Sequence, residues 1–227
     1  MDNMNKFFLP AAVVLAGLFI AGAVIWNGVH PGGTGGTGGT QSVNIKNVKT
    51  DGRPFIGDPN APITIAFWSD FQCPFCQQFE LNTLPQIIQN YVNAGKAKVV
   101  FLDFPFLGDD SVTDAAYSLA VWKLYPDQYF QWRTAMYTAQ DAEGDQGFGD
   151  AASVDKLDAT ISGIDAAKVA ADVKANLTTY ETQMNADKAQ GQALGVNATP
   201  SFIIGTQLIA GAYPYATFQS TIDPLLK

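Results

Sequence analysis

Residues 63–76, Ile-Thr-Ile-Ala-Phe-Trp-Ser-Asp-Phe-Gln-Cys-Pro-Phe-Cys, decide the fold of this chain. The stretch begins as an apolar, partly β-branched run, the pattern of a strand buried on both faces. It ends in Cys73-Pro74-Phe75-Cys76, which leads into Gln77, Gln78, Phe79, Glu80 and Leu81, residues suited to a helix. A strand that passes at once into C-x-x-C at a helix start is the setting in which that motif carries redox chemistry. Residues three apart on a first helical turn share a face, so the two sulfurs are able to close a small ring. Pro74 suits that turn, where a missing N–H costs nothing. The unpaired N–H groups and positive dipole end of the helix favour a thiolate at Cys73. Cys73 is therefore the expected nucleophile and Cys76 its resolving partner.

Other uses of the pair fit poorly. Zinc needs about four N or S ligands, whereas Cys73 and Cys76 are the only cysteines and His30 the only histidine. Haem attachment needs a histidine directly after the second cysteine, and that residue is Gln77. A purely structural disulfide closing so short a loop would remove little chain entropy. No metal and no cofactor are expected.

The stretch from Gly57 to Phe79 resembles the DsbA-like branch of the thioredoxin fold. A second motif, Gly195-Val196-Asn197-Ala198-Thr199-Pro200-Ser201-Phe202-Ile203-Ile204-Gly205, resembles that family's cis-proline loop and the strand after it. Two motifs in the right order, over a hundred residues apart, make the resemblance specific. It covers roughly Phe55 to the C-terminus. It implies an α/β thioredoxin fold with an inserted helical subdomain at about 108–194, a cis bond at Thr199-Pro200, and a loop that faces the dithiol. There the Thr199 backbone would pair with an extended substrate segment, a β-augmentation mode. Pro74 and Phe75 belong to the same site by their place in the motif. Two departures stand out. Phe75 occupies a position where many such oxidases carry histidine. Phe67 lies six residues before the first cysteine, where thioredoxin-like proteins commonly hold a buried acid as proton shuttle; Asp70 is nearer but falls in the loop.

Residues 1–6 are short and polar, and Phe7 to Trp26 supplies 20 residues without a charge. That length spans a hydrocarbon core as a helix, with Trp26 at the interface. A cleaved signal peptide ending near Ala21-Gly22-Ala23 is the rival reading, but the apolar run continues past that site. Lys6 is the only basic residue before Lys46, which places the N-terminus in the cytoplasm and the rest outside. The expectation is a single-pass membrane protein with its catalytic domain on the periplasmic or extracellular side. Residues 27–42, rich in Gly and Thr, read as a flexible tether, and His30 within it as inert.

Residues 43–227 suffice for one domain. A net charge of −8 without basic clusters argues against nucleic acid. Val43–Val48 reads as an edge strand or extended lead-in. A helix is expected from Cys76 to about Asn93, kinked at Pro85, then a strand over Lys98–Asp103. Ser111 and Asp114 suggest a capping box. Helices follow over 115–125, 127–138, 153–161 and 165–194, then strands at 201–205 and 208–211 and a helix over 215–226. Trp122, Tyr125, Tyr129, Phe130, Trp132 and Tyr137 recur at helical spacing and read as core. The expected activity is thiol–disulfide exchange that forms disulfides in exported proteins, with a membrane redox partner for recycling and a monomeric chain. A membrane-tethered reductase and a non-catalytic, chaperone-like binding module are the alternatives.

Overall fold

The computed structural model describes residues 43–141 and 147–226. Strand β2 (Ile63–Ser69) is its centre, with six of its seven residues buried because side chains on both pleat faces meet protein. It pairs in parallel with β3 (Ala97–Asp103), from Ile63 opposite Ala97 to Ser69 opposite Asp103. On its other side it runs antiparallel to β4 (Ser201–Ile204), which in turn pairs antiparallel with β5 (Gln207–Ala210). A two-residue strand β1 (Phe55–Ile56) lies antiparallel on β3, giving the order β1-β3-β2-β4-β5.

Alternation along β2 sorts the core into two layers. Ile65 and Phe67 face one layer, where Phe67 stacks on Phe202 at 4.7 Å and meets Phe79 edge-on at 4.9 Å. Ala66 and Trp68 face the other, with Leu102, Leu194, Val196 and Ile203. Between β3 and β4 the chain inserts α2 (Asp109–Leu124), α3 (Tyr129–Ala139), α4 (Ala151–Asp158) and α5 (Ala166–Ala193). The last of these returns to the sheet. Trp68 Nε1 donates to the Asp187 carbonyl at 2.9 Å, and Gly191 lies so close to the indole that a Cβ there would sit 2.8 Å from Nε1. Only glycine permits that approach.

Helix α1 spans residues 74–92 without a break. It is α-helical at Pro74–Gln78 and Leu84–Ile87 and π-wound at Phe79–Thr83 and Ile88–Val92. Pro85, where a kink was expected, follows directly on a π-wound turn, which accommodates a residue that has no N–H to give. Residues 43–48 form no edge strand, and the extended backbone at Asn44 and Val48 is interrupted between them by a turn. Asn44 accepts the Lys46 N–H and closes a 3-10 turn at Ile45–Asn47, while Ile45 N–H donates to the Gly205 carbonyl at 2.7 Å. The capping box expected at Ser111–Asp114 is also corrected. Gly108, at φ 110°, starts α2 at Asp109, so Ser111 and Asp114 lie inside the helix and are buried. The closing helix α6 is α-helical over Tyr215–Ile222 and tightens to 3-10 at Asp223–Leu226, where Pro224 has no N–H for the α ladder. Of the aromatics read as core, Tyr129, Trp132 and Tyr137 are fully buried, whereas Trp122, Tyr125 and Phe130 are half-buried against it. Among the described residues no helix is long and apolar enough to cross a membrane; the run Phe7–Trp26 lies outside them.

Candidate active site

Cys73 is the N-cap of α1, extended at φ −84° and ψ 119°, and Pro74 takes the first helical position. Its carbonyl accepts the N–H groups of Cys76 at 3.0 Å and Gln77 at 3.1 Å, which closes the first turn. The Cys73 N–H donates to the Asp70 carbonyl at 3.2 Å, so the preceding turn is tied to the same residue. Both cysteines are free thiols and both are buried, Cys73 with 4% of its surface exposed and Cys76 with none. Between them Phe75 projects outward, 61% exposed.

Across from the dithiol, the Thr199-Pro200 bond is cis and the Cys73 thiol donates to the Thr199 carbonyl at 3.4 Å. Strand β4 fixes that loop, since its first residue, Ser201, pairs with Trp68 near the end of β2. The fold thus brings Cys73, Cys76, Thr199 and Pro200 together, with Pro74 half-buried under them and Phe75 on the rim.

The two sulfurs are electrostatically unequal. Cys73 is lowered from 9.0 to about 6, first by hydrogen bonding from the Cys76 thiol, which outweighs burial; the Thr199 hydroxyl and the N–H groups of Cys76 and Phe75 add to it. Cys76 is pushed well above 9.0 by burial, and by the Cys73 sulfur beside it. One sulfur is poised as nucleophile and leaving group, the other held as a thiol.

No acid occupies the position of Phe67, which is wholly buried among aromatic rings. Asp70 serves the loop instead. Its carboxylate accepts N–H groups from Gln72 at 2.9 Å, Phe106 at 2.9 Å and Leu107 at 3.3 Å, while burial raises its pKa. A buried ion pair behind the motif escaped sequence reading. Glu80, one helical turn after Cys76, forms a fully buried ion pair with Arg133 of α3 at 3.0 Å. The guanidinium lies 4.1 Å over the Phe101 ring and also reaches Ser69 Oγ at 3.0 Å. A glutamate at i+4 from the second cysteine was visible in the sequence, but its arginine partner 53 residues away was not. Among the described residues no three His, Cys, Asp or Glu side chains group as a metal ion would require.

The family model described as thioredoxin matches residues 49–224. The disulfide bond formation protein D of Bacillus subtilis is 26% identical over 179 residues, covering 78% of each chain. The probable disulfide bond formation protein D of Bacillus anthracis is 25% identical over 173 residues, 76% of this chain and 77% of that one. In fold, the chain is similar to the oxidised BdbD crystal structure from Bacillus subtilis, with a TM-score of 0.71 at 24% identity over 82% of this chain and 97% of that one. It is also similar to the thiol-disulfide exchange protein alpha-DsbA2 of Wolbachia pipientis, with a TM-score of 0.68 at 27% identity over 79% and 90%. The chain belongs to the thioredoxin family, as a DsbA-like disulfide oxidoreductase.

Proposed function

We propose that this protein forms disulfides in exported proteins outside the cytoplasm, with Cys73 as the attacked sulfur and Cys76 as the resolving one. The observation that carries the reading is a free dithiol at the N-terminus of α1 with the Cys73 sulfur 3.4 Å from the Thr199 carbonyl of the cis-proline loop, and the lowering of Cys73 beside a raised Cys76 agrees with it. In the oxidised enzyme a substrate thiolate attacks the Cys73 sulfur, and the Cys73–Cys76 bond breaks. Cys76 leaves with the electron pair and takes up a proton, in keeping with its raised pKa. A second substrate thiolate attacks the substrate sulfur of the mixed disulfide, and Cys73 departs as a thiolate. The substrate loses two electrons and the enzyme dithiol gains them. The Thr199 backbone beside Cys73 and the exposed Phe75 form the surface on which an extended segment would lie.

Stabilising the reduced form makes the disulfide oxidising. The Phe75 side chain offers no donor or charge to the thiolate, so the potential should fall between about −270 mV, the thioredoxin value, and about −120 mV, that of the strongest oxidases. Equilibration of the soluble domain with glutathione measures it. A value at or below the thioredoxin figure replaces the oxidase reading with that of a membrane-tethered reductase. The length and apolarity of Phe7–Trp26 support a single-pass anchor with the N-terminus in the cytoplasm; a membrane redox partner would then reoxidise the dithiol. Protease added to spheroplasts should remove the domain while carbonate washing leaves it attached. A soluble form beginning after Ala23 would overturn the anchor.

A further inference from the structure

Helix α3 of the insertion grips the C-x-x-C motif on both sides through two residues. Ahead of the motif, Tyr137 OH donates to the Asp70 carbonyl at 3.3 Å, and Gln140 Nε2 donates to the next carbonyl, that of Phe71. Behind the motif the direction reverses. Gln77 Nε2 donates to the backbone carbonyls of the same two residues, Tyr137 at 2.7 Å and Gln140 at 3.4 Å. Tyr137 lies in the last turn of α3 and Gln140 is its C-cap, and both side chains reach the turn before the motif. Tyr137 is fully buried, and Arg133, one turn earlier, donates to its hydroxyl at 3.4 Å while bound to Glu80. The Asp70 carbonyl that Tyr137 holds is also the one that accepts the Cys73 N–H.

We infer that Tyr137 and Gln140 are positioning residues for the redox centre, a clamp from the helical insertion that fixes the Asp70–Cys73 turn and the first turn of α1 as one unit. Neither side chain makes its hydrogen bond to a sulfur. Each acts on backbone whose N–H groups and N-cap geometry surround Cys73. This assignment rests on the thiol–disulfide reading above and deepens it, because the oxidising character of the pair then depends on the insertion as well as on the residues between the cysteines. The donors that favour a Cys73 thiolate include the N–H groups of Cys76 and Phe75, and they act only while the α1 terminus stays in register with the turn. Releasing the clamp destabilises the thiolate and hence the reduced form.

The test uses Tyr137→Phe and Gln140→Met, each of which removes a donor and keeps most of the side-chain volume. The control is Tyr117→Phe in α2, which deletes another phenol bond, Tyr117 OH to Asp155 Oδ1 at 2.7 Å, whose partners are Ala151 and Asp155 rather than the backbone of the motif or of the turn before it. For each folded variant, thiolate absorbance against pH gives the Cys73 pKa, and glutathione equilibration gives the exchange constant. Both clamp variants should raise the pKa and move the exchange constant about three- to tenfold toward the disulfide, the size of one neutral hydrogen bond. Tyr117→Phe should lower the melting temperature and move neither. Folded clamp variants with parental pKa and exchange constant overturn the assignment, as does a control that shifts both equally. If Tyr137→Phe does not fold, Gln140→Met alone decides. Failure of the unsubstituted protein to exchange with glutathione at all would refute the redox reading itself, and this assignment with it.

Discussion

The lowered pKa of Cys73 makes the stability of the dithiol form depend on pH in a direction that is open to measurement. A thiol whose folded pKa lies below its unfolded value contributes stability that is fully present above the unfolded pKa and lost as pH falls through the folded one. With 9.0 unfolded and about 6 folded, the contribution is close to zero at pH 5, about 1.4 kcal/mol at pH 7 and ~4 kcal/mol at pH 9 and above. Local relaxation around the charged sulfur, with an effective dielectric above that of a dry interior, reduces the upper figure to about 2–3 kcal/mol. Buried carboxylates work against this slope. Asp103, raised to about 8 chiefly by burial and then by Asp187, binds its proton more tightly when folded, so its contribution falls as pH rises from 3.8 toward 8. The observable is therefore a difference. Urea denaturation of the reduced protein and of Cys73→Ser, from pH 5 to pH 9, holds the carboxylates constant and isolates the thiolate. The reduced parent should gain on Cys73→Ser across the interval from 6 to 9. Parallel pH profiles would refute the claim that the fold stabilises a Cys73 thiolate.

Thr199→Val keeps the shape of the side chain and removes the hydroxyl that favours the anionic form of both sulfurs; the Cys73 pKa, read from thiolate absorbance, should rise by up to about one pH unit, the worth of a single hydrogen bond. An unchanged value would mean that this hydroxyl does not reach the thiolate. At the buried Glu80–Arg133 pair, Arg133→Met should cost about 3–5 kcal/mol by leaving a carboxylate alone in the core, and Glu80→Met a similar amount, whereas the double variant should lose less than either single one. Additive losses in a denaturation cycle would show that the two charges do not depend on each other.

The central strand and the redox motif were legible in the sequence because each is a local pattern, whereas the cis-proline loop was legible only through the family resemblance. A run such as 63–69 buries side chains on both faces wherever it lies, and a cysteine, proline and cysteine at a helix start fix their own turn geometry. Two errors in the reading were also local, and neighbours decided them. Gly108 capped α2 before Ser111 had the chance, and Asn44 closed a turn where alternation suggested extended chain. Strand β1, only two residues long, has no periodicity to detect and exists through its pairing with β3.

The support beneath the dithiol was of another kind. Glu80, Arg133, Tyr137 and Gln140 look unremarkable in sequence, a helical glutamate and three residues of an aromatic-rich helix, and tertiary packing alone set their roles. Sequence determined that Cys73 would sit at a helix N-terminus, since that needs only the residues on either side of it. The turn before it is held by a helix more than fifty residues downstream, and the loop opposite lies 126 residues away. Those contacts exist because β2 pairs at once with β3 and β4, which brings distant segments to the same end of one sheet; a hydrogen bond or buried charge pair needs its partner within a few ångströms, and chain separation says nothing of that distance.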